Sequence, residues 1–157
     1  MRTYSVLMAL GLVSMFLLGL VLSAAPTTAS TIAADQVKFD PKLFSLDTPE
    51  PVIAHIKFAQ PYERNVTEVD PSTVLLEGLL APIDTWTTRA PPELVAQFDG
   101  NMVASVLWSK IYHMGITTPK PWVPIKVELQ ISGELVDGTE WHGTGEIKIV
   151  IPSNDLS

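Results

Sequence analysis

From Val127 to Leu135 the chain alternates between apolar and polar positions. Val127, Leu129, Ile131 and Leu135 share one side with Gly133, while Glu128, Gln130, Ser132 and Glu134 take the other. A period of two is the signature of a half-buried β-strand. Val136-Asp137-Gly138-Thr139 follows, and the alternation then resumes with Trp141, Gly143, Gly145, Ile147, Ile149 and Ile151 on the apolar side. Asp-Gly between two alternating runs predicts a hairpin closed by a type I′ turn, which needs positive φ at both central residues. A slip of one residue would expose every isoleucine of the return strand, so the register is strongly specified.

The same reading places weaker elements upstream. Val37-Lys38-Phe39 opens a strand that Asp40-Pro41 ends, and Leu43 to Leu46 is a short edge piece. Val52, Ala54, Ile56 and Phe58 alternate with Ile53, His55 and Lys57 in a clear strand. Asp70-Pro71 reads as a turn. Val74 to Leu76 is apolar on both faces, which predicts a central strand, with Leu79-Leu80 as its extension. Thr85 to Thr88 predicts an edge strand around Trp86, and Leu94 to Phe98 another strand. Asp99 or Asn101 caps a helix whose apolar stripe is Val103, Val106, Leu107, Ile111 and Met114, with Gly115 as its stop. About seven short strands with frequent turn signals and one cross-connecting helix predict a mainly β protein, an immunoglobulin- or fibronectin-like β-sandwich.

Composition narrows the class. The 157 residues allow one domain after processing, and the formal charge of -7 disfavours nucleic acid and anionic lipid as partners. There is no cysteine, which excludes disulfides, thiolate catalysis and cysteine-based metal sites. Arg2 precedes an apolar run from Val6 to Leu22 and the small residues Ser23, Ala24 and Ala25. This predicts that residues 1–25 are a signal peptide or, uncleaved, an N-terminal membrane anchor through residues 4–22. Residues 26–35 read as a flexible tether, 36–152 as the β-domain and 153–157 as a disordered tail. The expected location is therefore extracytoplasmic, either secreted or tethered at the cell surface.

Several stretches together resemble an immunoglobulin-like module of archaeal and bacterial secreted or surface proteins. They are Val37-Lys38-Phe39-Asp40-Pro41 with Leu43 and Leu46, Val52 to Ile56, Asp70-Pro71-Ser72-Thr73-Val74-Leu75-Leu76, Leu94 to Asp99, and Gly133 to Gly143. The resemblance spans about Val37 to Ile151. It implies a non-catalytic spacer or adhesion-type role. Such modules often carry an Asp/Gly-rich, calcium-like loop before the strand ending in Phe-Asp. Here that place reads Arg89-Ala90-Pro91-Pro92-Glu93, whose single carboxylate is too few for calcium.

The chemistry-bearing residues form no catalytic pattern. His55, His113 and His142 lack metal spacing and read as scattered surface histidines. Glu128, Glu134, Asp137, Glu140 and Glu146 fall on the closing hairpin, where cross-strand pairing with Lys126 and Lys148 is the expected role. Gly143-Thr144-Gly145 lies within a strand and is not a phosphate loop. Trp141 falls on the core side, whereas Trp86, Trp108 and Trp122 are candidate contacts for a ligand or partner. Asn65-Val66-Thr67 is a candidate glycosylation sequon at Asn65. The expectation is a non-catalytic exported module, not an enzyme, without cofactor or metal, with a structural or protein-binding role at the cell envelope. The alternative is a carbohydrate-binding module using the exposed tryptophans. The expected partner is thus an envelope protein or a glycan.

Overall fold

A computed structural model describes residues 31–59, 66–116 and 120–151. The expected leader, the tether up to residue 30, Asn65 and the expected tail lie outside the described residues. The described chain is mainly β with one helix. In order it forms β1 (Thr31–Asp40), β2 (Leu43–Ser45), β3 (Val52–Phe58), β4 (Val69–Leu76), β5 (Asp84–Arg89), β6 (Pro92–Phe98), helix α1 (Gly100–His113), β7 (Ile125–Leu135) and β8 (Glu140–Val150). Among the described residues no helix is long and apolar enough to cross a membrane.

Hydrogen bonding links the strands in the order β4-β7-β8-β1-β3-β6-β5, with β2 pairing β8 beside that path. The path turns at β1. Its first residues run parallel to β8, with Thr31 to Ala33 opposite Glu140 to His142. Its later residues run antiparallel to β3, with Val37 opposite Ile56 and Phe39 opposite Ala54. Gly143 and Gly145 of β8 make this crossing close. A Cβ on Gly143 would stand 2.6 Å from Val37 Cγ2, and one on Gly145 would stand 2.7 Å from the Val37 carbonyl oxygen. β2 then rejoins β8, with Leu43 opposite Lys148. Residues 31–35 are therefore part of a strand rather than of a tether, because β8 pairs Thr31 to Ala33 and β3 pairs Ala34, partners that local composition does not reveal.

The long hairpin pairs as the alternation predicts. Val127 lies opposite Ile147 and Leu129 opposite Gly145, and the apolar set of both strands is buried. Its turn differs from the prediction. Gly138 has φ 82°, but Asp137 stays out of the left-handed region. The Gly138 N–H donates to Leu135 O over 2.8 Å and the Leu135 N–H to Thr139 O over 2.9 Å. This is a type I turn followed by a glycine bulge. The Thr139 N–H donates to Asp137 Oδ1 at 2.9 Å, which holds Asp137 in the turn without positive φ.

The carboxylate pairing expected on this hairpin is mostly not made. Glu128 faces Glu146, Glu134 faces Glu140 and Lys126 faces Lys148 as direct cross-strand partners. One diagonal pair relieves the repulsion, Lys126 Nζ to Glu146 Oε1 at 3.1 Å.

Two further expectations change. β4 is not central: it pairs only β7 and ends the path, and Asp70-Pro71 lies inside it at an irregularity of register instead of forming a turn before it. Leu75 is half-buried although β4 ends the path. Leu79-Leu80 does not extend β4. Glu77 and Gly78 take positive φ and Leu80 returns to bridge Leu76.

Helix α1 starts as predicted. Asp99 Oδ1 accepts the N–H groups of Asn101 and Met102 at 2.9 and 3.0 Å. Its buried side is Val103, Ala104, Leu107 and Ile111. Val106 is half-buried and Met114 is exposed at the end, so the stripe is narrower than expected. Gly115, with φ 75°, ends the helix. Lys110 anchors its last turn, with Nζ 2.8 Å from Glu77 Oε2 and 2.9 Å from Glu128 O. Both halves of the strand path contribute to one buried cluster, from Phe39, Ile56 and Phe98 to Leu129, Trp141 and Ile149.

Candidate functional site

The three candidate tryptophans stand on separate elements. Trp86 lies on the terminal strand β5 opposite Val95 and is 40% exposed. Trp108, 39% exposed, lies on α1 outside its buried side, one turn before Tyr112. Trp122 lies in the link before β7 and is 68% exposed. Trp141, as expected, is buried, and it packs edge-on against Phe58. Among the described ring contacts none joins Trp86, Trp108 and Trp122.

Trp122 has a second distinction. Its φ is 60°, a left-handed conformation that bulky residues rarely adopt. Its N–H donates to Ile151 O at 3.1 Å, and the Val123 N–H donates to Lys120 O at 3.3 Å. The first bond holds the link against the chain just past β8, and the second closes a turn within the link. There the ring borders a shallow depression together with Leu43, Ser45, Asp47 and Val150. Leu43, Trp122 and Val123 are all about half exposed or more. The sequence places Leu43 in a short edge piece, and only the β2–β8 pairing brings it to this end.

His55 is not a scattered surface histidine. Its Nδ1 lies 3.2 Å from Glu93 Oε2 and its Nε2 lies 3.5 Å from Asp40 Oδ2. Lys57 Nζ lies 3.0 Å from Glu93 Oε1. β1, β3 and β6 each contribute to this cluster on the side facing away from the core. Burial opposes ionisation of Glu93, but the hydrogen bonds from Lys57 and His55 and their charges outweigh it. The carboxyl is therefore held below its ordinary range. Alternation along β3 does place His55 and Lys57 on its outer side. The partners could not be read locally, because they come from strands distant in sequence.

The place where the resemblance suggests a calcium loop is a tight link between β5 and β6. The Thr88 hydroxyl donates to Pro91 O at 2.6 Å and accepts from the Glu93 N–H at 3.2 Å. The Glu93 carboxylate is turned toward Lys57 and His55. Among the described residues no group of three or more histidines or carboxylates is placed to hold a metal ion.

A groove of about 610 Å³ runs along the gap where β1 leaves β8 for β3. Its floor includes Val37 and Phe39, and its walls carry charges from β1, β3, β6 and β8. Compared with protein-family models, with curated proteins and with solved structures, the chain matches none.

Proposed function

We propose that this chain is a non-catalytic, exported immunoglobulin-like module that makes a protein contact at the cell envelope through the end of the fold carrying Trp122. The strand order supports the immunoglobulin-like part. The runs β1-β3-β6-β5 and β4-β7-β8 correspond to the ABED and CFG orders of a constant-type immunoglobulin sandwich. α1 then occupies the connection between the E-like and F-like strands. The leader pattern from Arg2 to Ala25 supports export.

The observation that carries the contact is Trp122. A non-glycine residue in the left-handed region costs of order 1–3 kcal/mol and persists where the surroundings enforce it. Here the enforced side chain is a largely exposed indole beside exposed Leu43 and Val123. Exposed aromatics of this kind anchor protein interfaces.

A photo-crosslinking residue in place of Trp122 should give one discrete protein adduct in the native envelope, and the same probe at exposed Thr144 should not. Trp122→Gly removes the backbone strain and should keep or raise stability while abolishing the adduct of a neighbouring probe at Val123. Equal labelling at positions 122 and 144 would sink the reading. The carbohydrate alternative instead requires neutral oligosaccharides to quench the exposed tryptophans.

A further inference from the structure

We propose that the groove between β1 and β8 binds a carboxylated sugar, a hydroxyl-rich ring bearing one acid group. The groove exists because of the strand crossing. β1 pairs β8 only up to His142, and β2 pairs it only from Lys148. Among the described residues no strand pairs β8 between them on that side. The opening lies within the size range of small-ligand sites.

Its charges are unevenly matched. Two of the three carboxylates of the groove already have a lysine, Glu93 with Lys57 and Glu146 with Lys126, which leaves Asp40, 3.5 Å from His55 Nε2, as the one without a lysine partner. Lys38, Lys42 and Lys148 line the same groove, and among the described residues no ion pair takes any of them. Lys42 and Lys148 are adjacent, since the Lys148 N–H donates to Lys42 O at 3.3 Å. Lys148 also faces Lys126 directly across the hairpin, a like-charge pairing that works against folding. The surplus in the groove is therefore cationic, although the chain as a whole is acidic.

The neighbouring groups choose the kind of anion. Asp40 and Glu93 offer carboxylate oxygens, which accept hydrogen bonds from hydroxyls. They repel a compact anion that brings no hydroxyl donors, as sulfate does. The overall negative charge likewise disfavours long polyanions and anionic membranes. A sugar ring with a single carboxylate meets both demands: its acid sits by the lysines and its hydroxyls face the carboxylates. This site is separate from the Trp122 end, so either assignment can fail without the other.

The test follows backbone amide signals of the purified chain during titration with glucuronate, glucose and inorganic phosphate. Glucuronate should cause saturable shifts confined to residues 36–42 and 145–149 and to the neighbourhood of His55 and Glu93. Lys42→Glu and Lys148→Glu should each weaken the response by about tenfold or more. Lys120→Gln, away from the groove, should leave it unchanged. Amides of α1 report that the variants remain folded. Methyl glucuronide separates two sources of the same chemistry. Binding as tight as that of glucuronate points to a glycan-linked unit, and loss of binding to a free sugar acid. Shifts of equal size with glucose, a stronger response to phosphate, or no saturable shift with glucuronate would each overturn the proposal.

Discussion

Phe58 of β3 meets Trp141 of β8 edge to face, with ring centroids 5.4 Å apart and planes at 85°. The two rings belong to strands on either side of β1, so this contact joins the two arms of the strand path through the core. Trp141 also covers Gly133, its cross-strand partner. A Cβ on Gly133 would lie 2.9 Å from Trp141 Cζ2. Trp141→Ala should cost about 3–5 kcal/mol, as deletion of a buried aromatic does. Gly133→Ala should cost about 1–3 kcal/mol through overpacking. Chemical denaturation of both variants measures this. A neutral Gly133→Ala would mean that the indole can move aside.

Gly145 should be less replaceable than its exposed neighbours. The Cβ added by Gly145→Ala meets the backbone oxygen of Val37, which no rotamer change can move, and Phe39 Cε2 at 2.9 Å. We expect a loss of about 1–3 kcal/mol and faster hydrogen exchange in β1. Thr144→Ala, on the solvent side of the same strand, should change stability by about 0.5 kcal/mol or less. Unaltered exchange in β1 with Gly145→Ala would contradict the close crossing.

The hairpin turn depends on Gly138. Its φ of 82° is out of reach for a β-branched residue, so Gly138→Val should cost about 1–3 kcal/mol. Asp137→Asn should cost less than Gly138→Val, since an asparagine side-chain oxygen can still accept from the Thr139 N–H although the charge is lost. An unshifted denaturation midpoint for Gly138→Val would refute the turn assignment.

Stability should fall in acid, partly through Glu93. Its carboxyl is held below the ordinary range in the folded chain, whereas an unfolded glutamate titrates near ~4.3. The folded state therefore binds fewer protons in this window. The contribution is complete above the unfolded value and is lost as pH falls through the lower, folded one. Asp70 and Asp137 are shifted the same way by hydrogen bonds from Ser72 and Thr139. Glu93→Gln should thus flatten the profile of stability between about pH 5 and pH 3 in part, not wholly. A Glu93→Gln profile parallel to that of the parent would show that the Lys57 and His55 contacts are not made in solution.

What the sequence determined by itself is what repeats at short range. The alternation of β3, β7 and β8, the Asp99 cap, the Gly115 stop and the exposed position of β5 around Trp86 all follow from side-chain period and local backbone preference. Each needs only neighbours a few residues away, so each was legible. Ladder order is a different kind of property. Leu75 and Leu76 are as apolar as a central strand, yet β4 ends the path: β7 pairs one of its edges, β8 takes the far edge of β7, and among the described residues no strand pairs the other edge of β4. β1 divides between β8 and β3 because Gly143 and Gly145 let it cross, whereas in the sequence those glycines read only as strand positions that form no phosphate loop.

The candidate sites divide along the same line. Trp86, Trp108 and Trp122 could be named as candidate contacts, and all three are exposed. The sequence could not show that they stand apart, nor that Trp122 is held with positive φ beside Leu43. Nor could it join His55 to Asp40 and Glu93, or set Lys42 beside Lys148, because those pairings exist only once distant strands are in register. Side-chain period is set residue by residue along the chain. The choice of neighbouring strand is set by burial of the whole apolar set at once, and only the tertiary structure resolves it.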